Sequence, residues 1–296
     1  MSPLFPFTHP MKTRREFLSI AAGAAGSLFL ADAATLLGAD VKTSWKVGIC
    51  DWDLRATGRM SSFAVAKELG FEGVQVSYHP DGDDALADKA NRPKFLSAAQ
   101  EAGVGIASLA MGLLNGRPLA TTPEAEGWVA DCIDAMVDMN VGQVLLAFFS
   151  AGDMNQHKEH QPLVIEKLKR LAPIAEQKKK ILAVESYLSA EDNLKLLDAV
   201  GSDAVKIYYD VRNSLDKRYD IFQEMELLGS KKLICEIHFK ESGRRLGDGR
   251  IDFAKVCATL EKIGYEGWLV VEGAAPGDWK ESQAANAQFV KKLIGR

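Results

Sequence analysis

From residue 44 onward the chain alternates two patterns. Short, nearly unbroken apolar runs occupy Lys46–Cys50, Gly73–Ser77, Gly105–Leu109, Gln143–Phe148, Ile181–Glu185, Ala204–Asp210, Leu233–His238 and Trp268–Glu272, and most are rich in Val, Ile or Leu. Strands that are apolar on both faces are those of a parallel sheet covered by helices. Between them, apolar residues recur at helical spacing over Phe63–Leu69, Lys94–Ala102, Glu124–Met139, Leu163–Gln177 and Phe253–Ile263. Gly70, Gly103 and Gly264 stand just past such stretches, where a left-handed cap ends a helix. Eight strand–helix units in succession predict an α/β fold, a single (β/α)8 TIM barrel. A doubly wound nucleotide-binding sheet would need a Gly-rich loop after its first strand. The turn here reads Asp51-Trp52-Asp53-Leu54-Arg55 instead.

Residues 1–39 break this pattern. Thr13-Arg14-Arg15-Glu16-Phe17-Leu18 precedes a run rich in Ala, Gly and Leu up to Ala39. A charged start, a weakly apolar middle and a small-residue exit make a signal peptide, and the paired arginines resemble a twin-arginine export signal. Cleavage is expected after Ala39 or Ala33, with Met11 a candidate start. Gly23, Gly26, Gly38 and the many alanines leave the run too weakly hydrophobic for a stable span, so no membrane insertion is expected after cleavage. The expected organisation is a signal peptide over 1–39 and a barrel domain over 40–296, in a periplasmic or secreted protein. The remaining chain has the roughly 250 residues usual for one barrel.

Composition removes other classes. The chain is 47% hydrophobic and 26% charged, with 36 Lys+Arg against 40 Asp+Glu and a formal charge of -4. That balance gives no electrostatic footprint for nucleic acid. The four cysteines, Cys50, Cys132, Cys235 and Cys257, form no C-x-x-C pair and read as buried free thiols.

The chemistry is expected where the C-terminal strand ends converge. The fifth run ends in Glu185, the sixth in Asp210, the seventh in His238 and the eighth in Glu272. The intervals of 25, 28 and 34 residues are each about one strand–helix unit, so four consecutive strands deliver Glu, Asp, His and Glu to one mouth. Three carboxylates and one imidazole make a mostly oxygen site suited to Mn2+, Mg2+ or Co2+, with Zn2+ also compatible. Without a cation, three adjacent carboxylates would raise one another's pKa.

These residues resemble the sugar phosphate isomerase/epimerase family of xylose isomerase-like TIM barrels. The resemblance rests on Glu185 in Ala-Val-Glu-Ser, Asp210 in Tyr-Asp-Val-Arg-Asn, His238 in Ile-His-Phe-Lys-Glu and Glu272 in Val-Val-Glu-Gly. Gly247-Asp248-Gly249-Arg250-Ile251-Asp252-Phe253, Gly264-Tyr265-Glu266-Gly267-Trp268 and Glu68-Leu69-Gly70-Phe71-Glu72-Gly73-Val74 support it, over about Ser44 to Arg296. The resemblance implies a divalent-metal-dependent isomerase or epimerase of a keto sugar or related polyol. Glu185 and Glu272 would exchange the proton next to the carbonyl from opposite faces, through an enediolate. It also implies that Arg244, six residues beyond the histidine, holds a substrate oxygen, with Arg245 its neighbour and competitor. One position departs: family epimerases commonly carry histidine three residues after the aspartate, and here stands Asn213. Asn cannot exchange a proton near neutral pH, which brings in dehydration or 3-keto-glycoside chemistry on the same scaffold.

Further substrate-binding candidates are His79, Lys240 and Trp52, with Trp279 and Phe149 as apolar walls. His157 and His160 lie in a polar loop and read as solvated. The partner expected is a small sugar, free or glycosidic given the export signal, with a homo-oligomer compatible. An endonuclease of the apurinic-site type would need three metals and many histidines, against five here. A sugar-binding barrel without catalysis is the non-enzyme alternative.

Overall fold

Each of the eight apolar runs forms a strand in the computed structural model, which describes residues 44–296; the predicted signal peptide lies outside the described residues. The strands are β1 (Lys46–Cys50), β2 (Gly73–Ser77), β3 (Gly105–Met111), β4 (Gln143–Phe148), β5 (Ile181–Ser186), β6 (Val205–Asp210), β7 (Ile234–Phe239) and β8 (Trp268–Val271). Every strand pairs in parallel with its sequence neighbours, and β8 pairs with β1, which closes the barrel. The predicted (β/α)8 barrel is the fold.

The helices are α1 (Ser62–Glu68), α2 (Arg92–Ala102), α3 (Ala125–Asp138), α4 (His160–Gln177), α5 (Ala190–Val200), α6 (Val211–Asp216), α7 (Ile221–Ser230), α8 (Phe253–Lys262) and α9 (Trp279–Leu293). Helix α4 starts three residues earlier than its apolar spacing predicts, at His160. Pro162 permits this, because a first-turn residue has no intrahelical N–H bond to lose. Side chains of Ser189, Asp220, Asp252 and Asp278 accept hydrogen bonds from the first-turn N–H groups of α5, α7, α8 and α9.

The main core lies between strands and helices, where Val47, Ile49, Val74, Val76, Leu109, Leu146 and Ile237 are fully buried. Inside the barrel a smaller set packs, including Ala110, Leu145, Ala147, Ala183 and Tyr208. The indole of Trp268 packs at the N-terminal end of the barrel. It lies so near Gly73 that a Cβ there would come within 2.4 Å of the ring, so only glycine fits.

Two register shifts decide which residues meet at the strand ends. Between β2 and β3, Val74 faces Ile106 but Gln75 faces Ser108, so Ala107 is extra. Between β6 and β7, Ile207 faces Ile234 but Tyr208 faces Glu236, so Cys235 is extra. Without the second bulge Asp210 would face Ile237; with it, Asp210 faces His238.

Candidate metal centre

Strands β5 to β8 carry the four predicted ligands to one point. Ligating atoms of Glu185, Asp210, His238 and Glu272 lie within 4.8 Å of one another. The imidazole sits in the middle of the group and is fully buried. Its Nδ1 is 3.2 Å from Glu185 Oε1, 3.2 Å from Glu272 Oε2 and 3.8 Å from Asp210 Oδ2. Asp210 has a second task. As the N-cap of α6, its Oδ1 accepts hydrogen bonds from the N–H groups of Arg212 and Asn213, which fixes the carboxylate. Its Oδ2 is buried and accepts no hydrogen bond among the described residues.

That oxygen tests the fit to a metal. A buried carboxylate oxygen without a hydrogen bond is costly, and Lys240 Nζ at 3.4 Å offsets only part of that beside two further carboxylates. Three oxygens and one nitrogen converging here suit a hard or borderline divalent ion. The group could hold a metal ion.

The electrostatics agree. Burial raises Asp210, and despite the opposing Lys240 ammonium its pKa reaches about 7, with Glu272 and Glu185 adding to the rise. Burial alone would raise Glu272 too, but His238 and Lys240 hold it down to about 2. Burial works against a charge on His238, yet the flanking carboxylates contribute to lifting its pKa well above the ordinary value. Lys240 Nζ donates to Glu272 Oε2 at 2.9 Å and lies 3.4 Å from Asp210 Oδ2.

The face of His238 away from the carboxylates was not foreseen from the sequence. Its Nε2 lies 3.0 Å from Gln75 Oε1 and 3.4 Å from Cys50 Sγ. Gln75 Nε2 donates to Ser108 Oγ at 2.9 Å, so its carbonyl end must face the imidazole. Gln75 therefore takes the Nε2–H of His238 and leaves Nδ1 as the atom offered to the carboxylate cluster. The β2–β3 bulge makes this contact, since it brings Ser108 opposite Gln75. Deeper in the barrel, Glu236 is fully buried near Tyr208 and Ser108, with no well-formed hydrogen bond to either oxygen among the described residues, and burial pushes its pKa to about 7. The signal for Gln75, Ser108 and Glu236 was a polar residue inside an apolar strand, which must find a polar partner.

A cavity of about 440 Å³ opens above the cluster, lined by Trp52, His79, Leu145, Phe149, Tyr187, Lys240, Glu185 and Glu272 among others. The structure thus brings Trp52, His79, Lys240 and Phe149 to the site. Burial holds His79 below the usual histidine pKa. Phe149 and Tyr187 meet edge to face, with ring centres 4.7 Å apart. Asp53, also missed, accepts a hydrogen bond from Gly273 N beside Glu272; burial first, then the Glu272 charge, raise it to about 8.

Four expectations change. Asn213 does not line the cavity; it is buried behind Glu185, its Nδ2 3.4 Å from Glu185 Oε1. Arg244 is exposed, donates to the carbonyl of Asp248 and lines a separate hollow with Arg212 and Arg250. The reason is local: buried Glu241 binds Arg212 and the N–H groups of Arg250 and Ile251, which holds this loop off the mouth. Trp279 starts α9 and stacks under Arg55 rather than walling the cavity. His160 is buried, not solvated. The cysteines are free, and all but half-buried Cys235 are buried.

No curated protein sequence matches the chain. Among solved structures it is similar to D-psicose 3-epimerase from Clostridium cellulolyticum H10, with TM-score 0.71 and 16% identity over 84% of this chain and 99% of that one. It is similar also to an L-ribulose 3-epimerase (TM-score 0.69, 17% identity, 85% of this chain and 95% of that one). A third is 3-keto-D-glucoside 4-epimerase from E. coli (TM-score 0.68, 15% identity, 85% of this chain and 100% of that one). These identities speak for a shared barrel. The family described as xylose isomerase-like TIM barrel matches residues 63–293, nearly the whole of the closed barrel with its four converging strand ends, and the chain belongs to that family.

Proposed function

We propose that the protein is a divalent-metal-dependent isomerase or epimerase of a keto sugar or related polyol. The carrying observation is the convergence of Glu185, Asp210, His238 and Glu272 at the floor of the cavity. The similar structures are of epimerases of psicose, ribulose and a 3-keto-glucoside, which supports a sugar as the substrate.

Glu185, Asp210, His238 and Glu272 would hold the ion, Mn2+ before Mg2+, Co2+ or Zn2+. A bound divalent ion supplies Lewis-acid polarisation of a substrate oxygen and stabilises negative charge developing beside it. The chain's own groups do the rest. Glu272, kept ionised by His238 and Lys240, is ready to take a proton from the carbon next to the carbonyl. Glu185, on a strand three removed, would return one from the other side. Asn213 steadies Glu185, and the Lys240 ammonium can hold a substrate hydroxyl or carbonyl oxygen at the cavity edge. Trp52 and Phe149 offer apolar surface to a sugar ring and exclude water from it.

The test is proton exchange. Metal-loaded protein in D2O is incubated with a panel of keto sugars and 3-keto-glycosides and read by NMR. Deuterium next to the carbonyl, lost in Glu272→Gln, is expected. Tight metal binding without exchange on any of them would replace this reading with a sugar-binding barrel. Asn213 favours a second reading, a lyase or 3-keto-glycoside enzyme, which the same spectra would reveal by their product.

Residues 1–39 are proposed as an export signal, and the substrate accordingly as a free or glycosidic sugar. Retention of the Arg14→Lys, Arg15→Lys double variant in the cytoplasm checks the address. Among the described residues no helix is long and apolar enough to cross a membrane.

A further inference from the structure

A second cluster of metal-ligating side chains lies in the β4–α4 connection. His157, Glu159 and His160 place ligating atoms within 4.8 Å of one another and share no residue with the centre at the strand ends. His157 Nδ1 is 3.5 Å from Glu159 Oε1, and the two imidazole rings lie 5.0 Å apart, 27° from parallel. His160 is 8% exposed, and its Nδ1 is buried with no hydrogen-bond partner among the described residues. A buried ring nitrogen without a partner is an unmet demand, which a metal–nitrogen bond would satisfy.

We infer that these three residues form a transition-metal site, selective for Zn2+ over the hard ions that suit the strand-end centre. Two imidazoles and one carboxylate are the donor set of three-ligand zinc sites that keep a position for water. Mg2+ and Mn2+ prefer the oxygen-rich group instead.

The backbone beneath is already set. His157 N bonds Asp153 O at 2.8 Å, His160 N bonds His157 O at 2.9 Å, and Asp153 Oδ1 accepts from Asn155 N. Gln161 Nε2 ties the first turn of α4 to Met154 O. The positive end of the α4 dipole opposes a cation here, and the exposed Glu159 carboxylate at its N-cap offsets this. The zinc would staple the loop that follows Phe149. Through Asn155, bonded to the Tyr187 carbonyl, it would steady the aromatic pair on the cavity wall. Asn155 and Tyr219 hold that carbonyl together.

The site is tested without reference to turnover. Metal-stripped full-length protein is titrated with ZnCl2 by calorimetry, and zinc-soaked crystals are measured on both sides of the zinc absorption edge. The expected result is an anomalous peak bounded by His157, Glu159 and His160, with micromolar or tighter affinity in solution. His157→Ala, at a partly exposed position, should erase that peak and remove one zinc per chain, or weaken its binding at least tenfold. Lys158→Ala should retain it. Glu185→Gln combined with Glu272→Gln should also retain it, which separates this site from the strand-end centre. No peak at the loop in the unaltered protein, zinc at crystal concentration only, or unchanged stoichiometry in His157→Ala would each overturn the inference.

Discussion

The two halves of the barrel do different work. Strands β5 to β8 each carry one ionisable candidate ligand at or within one residue of their C-terminal end, whereas β1 to β4 end in Cys50, Ser77, Met111 and Phe148. The charged half sets out the carboxylates and the imidazole. The uncharged half aims and encloses them: Gln75 and Ser108 orient His238 from below, and Trp52 and Phe149 wall the cavity from beside. The imidazole among the carboxylates is thus held by uncharged polar groups, which fix its orientation without adding to the repulsion.

The contrast is sharpest if the charged half fails hardest. Glu185→Gln or Glu272→Gln should reduce proton exchange by about 10³-fold or more while leaving the fold unchanged by circular dichroism. Nearly unaltered exchange in both would end the two-carboxylate mechanism. In the neutral half, Gln75→Leu should weaken metal affinity by roughly 10- to 100-fold, since Nε2–H loses its acceptor and the imidazole is free to turn. Calorimetry of metal binding reads this directly, and an unchanged affinity would leave Gln75 as packing only.

The next effect is of pH. Metal can bind only to deprotonated ligands, and both Asp210, at about 7, and His238 hold protons more tightly than usual in the metal-free protein. Lowering pH through 7 should therefore weaken metal binding by up to about tenfold per unit for each proton displaced. Raising it should strengthen binding until both are deprotonated. Titrations in buffers of different ionisation enthalpy would count the protons released. Smaller still, Phe149→Ala should raise KM a few-fold with kcat nearly intact, because it removes wall and not charge. Least of all, Arg244→Ala should change kcat/KM by less than about twofold, since its side chain stands outside the cavity. A large loss there would mean that the β7–α8 loop closes over substrate.

The pattern of legibility follows the same division. Strand positions and the four strand-end candidates are readable directly, because an unbroken apolar run marks a strand and a charged residue at its C-terminal end stands out at the mouth. The register is not. Nothing in Gly105-Ile106-Ala107-Ser108 or in Leu233-Ile234-Cys235-Glu236 marks Ala107 or Cys235 as the extra residue of a bulge. Yet those two insertions put Ser108 opposite Gln75 and His238 opposite Asp210. Arg244 shows the converse limit. Spacing from His238 puts it near the substrate, but the hydrogen bonds of buried Glu241, formed across nine and ten residues, decide where the loop goes. His160 looks like loop polarity in the sequence, although its place at the start of α4 turns it inward.

The indole of Trp268 across the barrel's N-terminal end has a bearing on the chemistry at the other end. Seated against Gly73 and Gly105, it packs at the foot of a barrel whose interior is filled by Ala110, Leu145, Ala147, Ala183 and Tyr208, so the opening at the strand C-termini is the way in and out. Under the proposed mechanism, isotope taken up on Glu185 or Glu272 would be diluted through that opening. How fast label washes out during a turnover would then measure how long a substrate stays over that mouth.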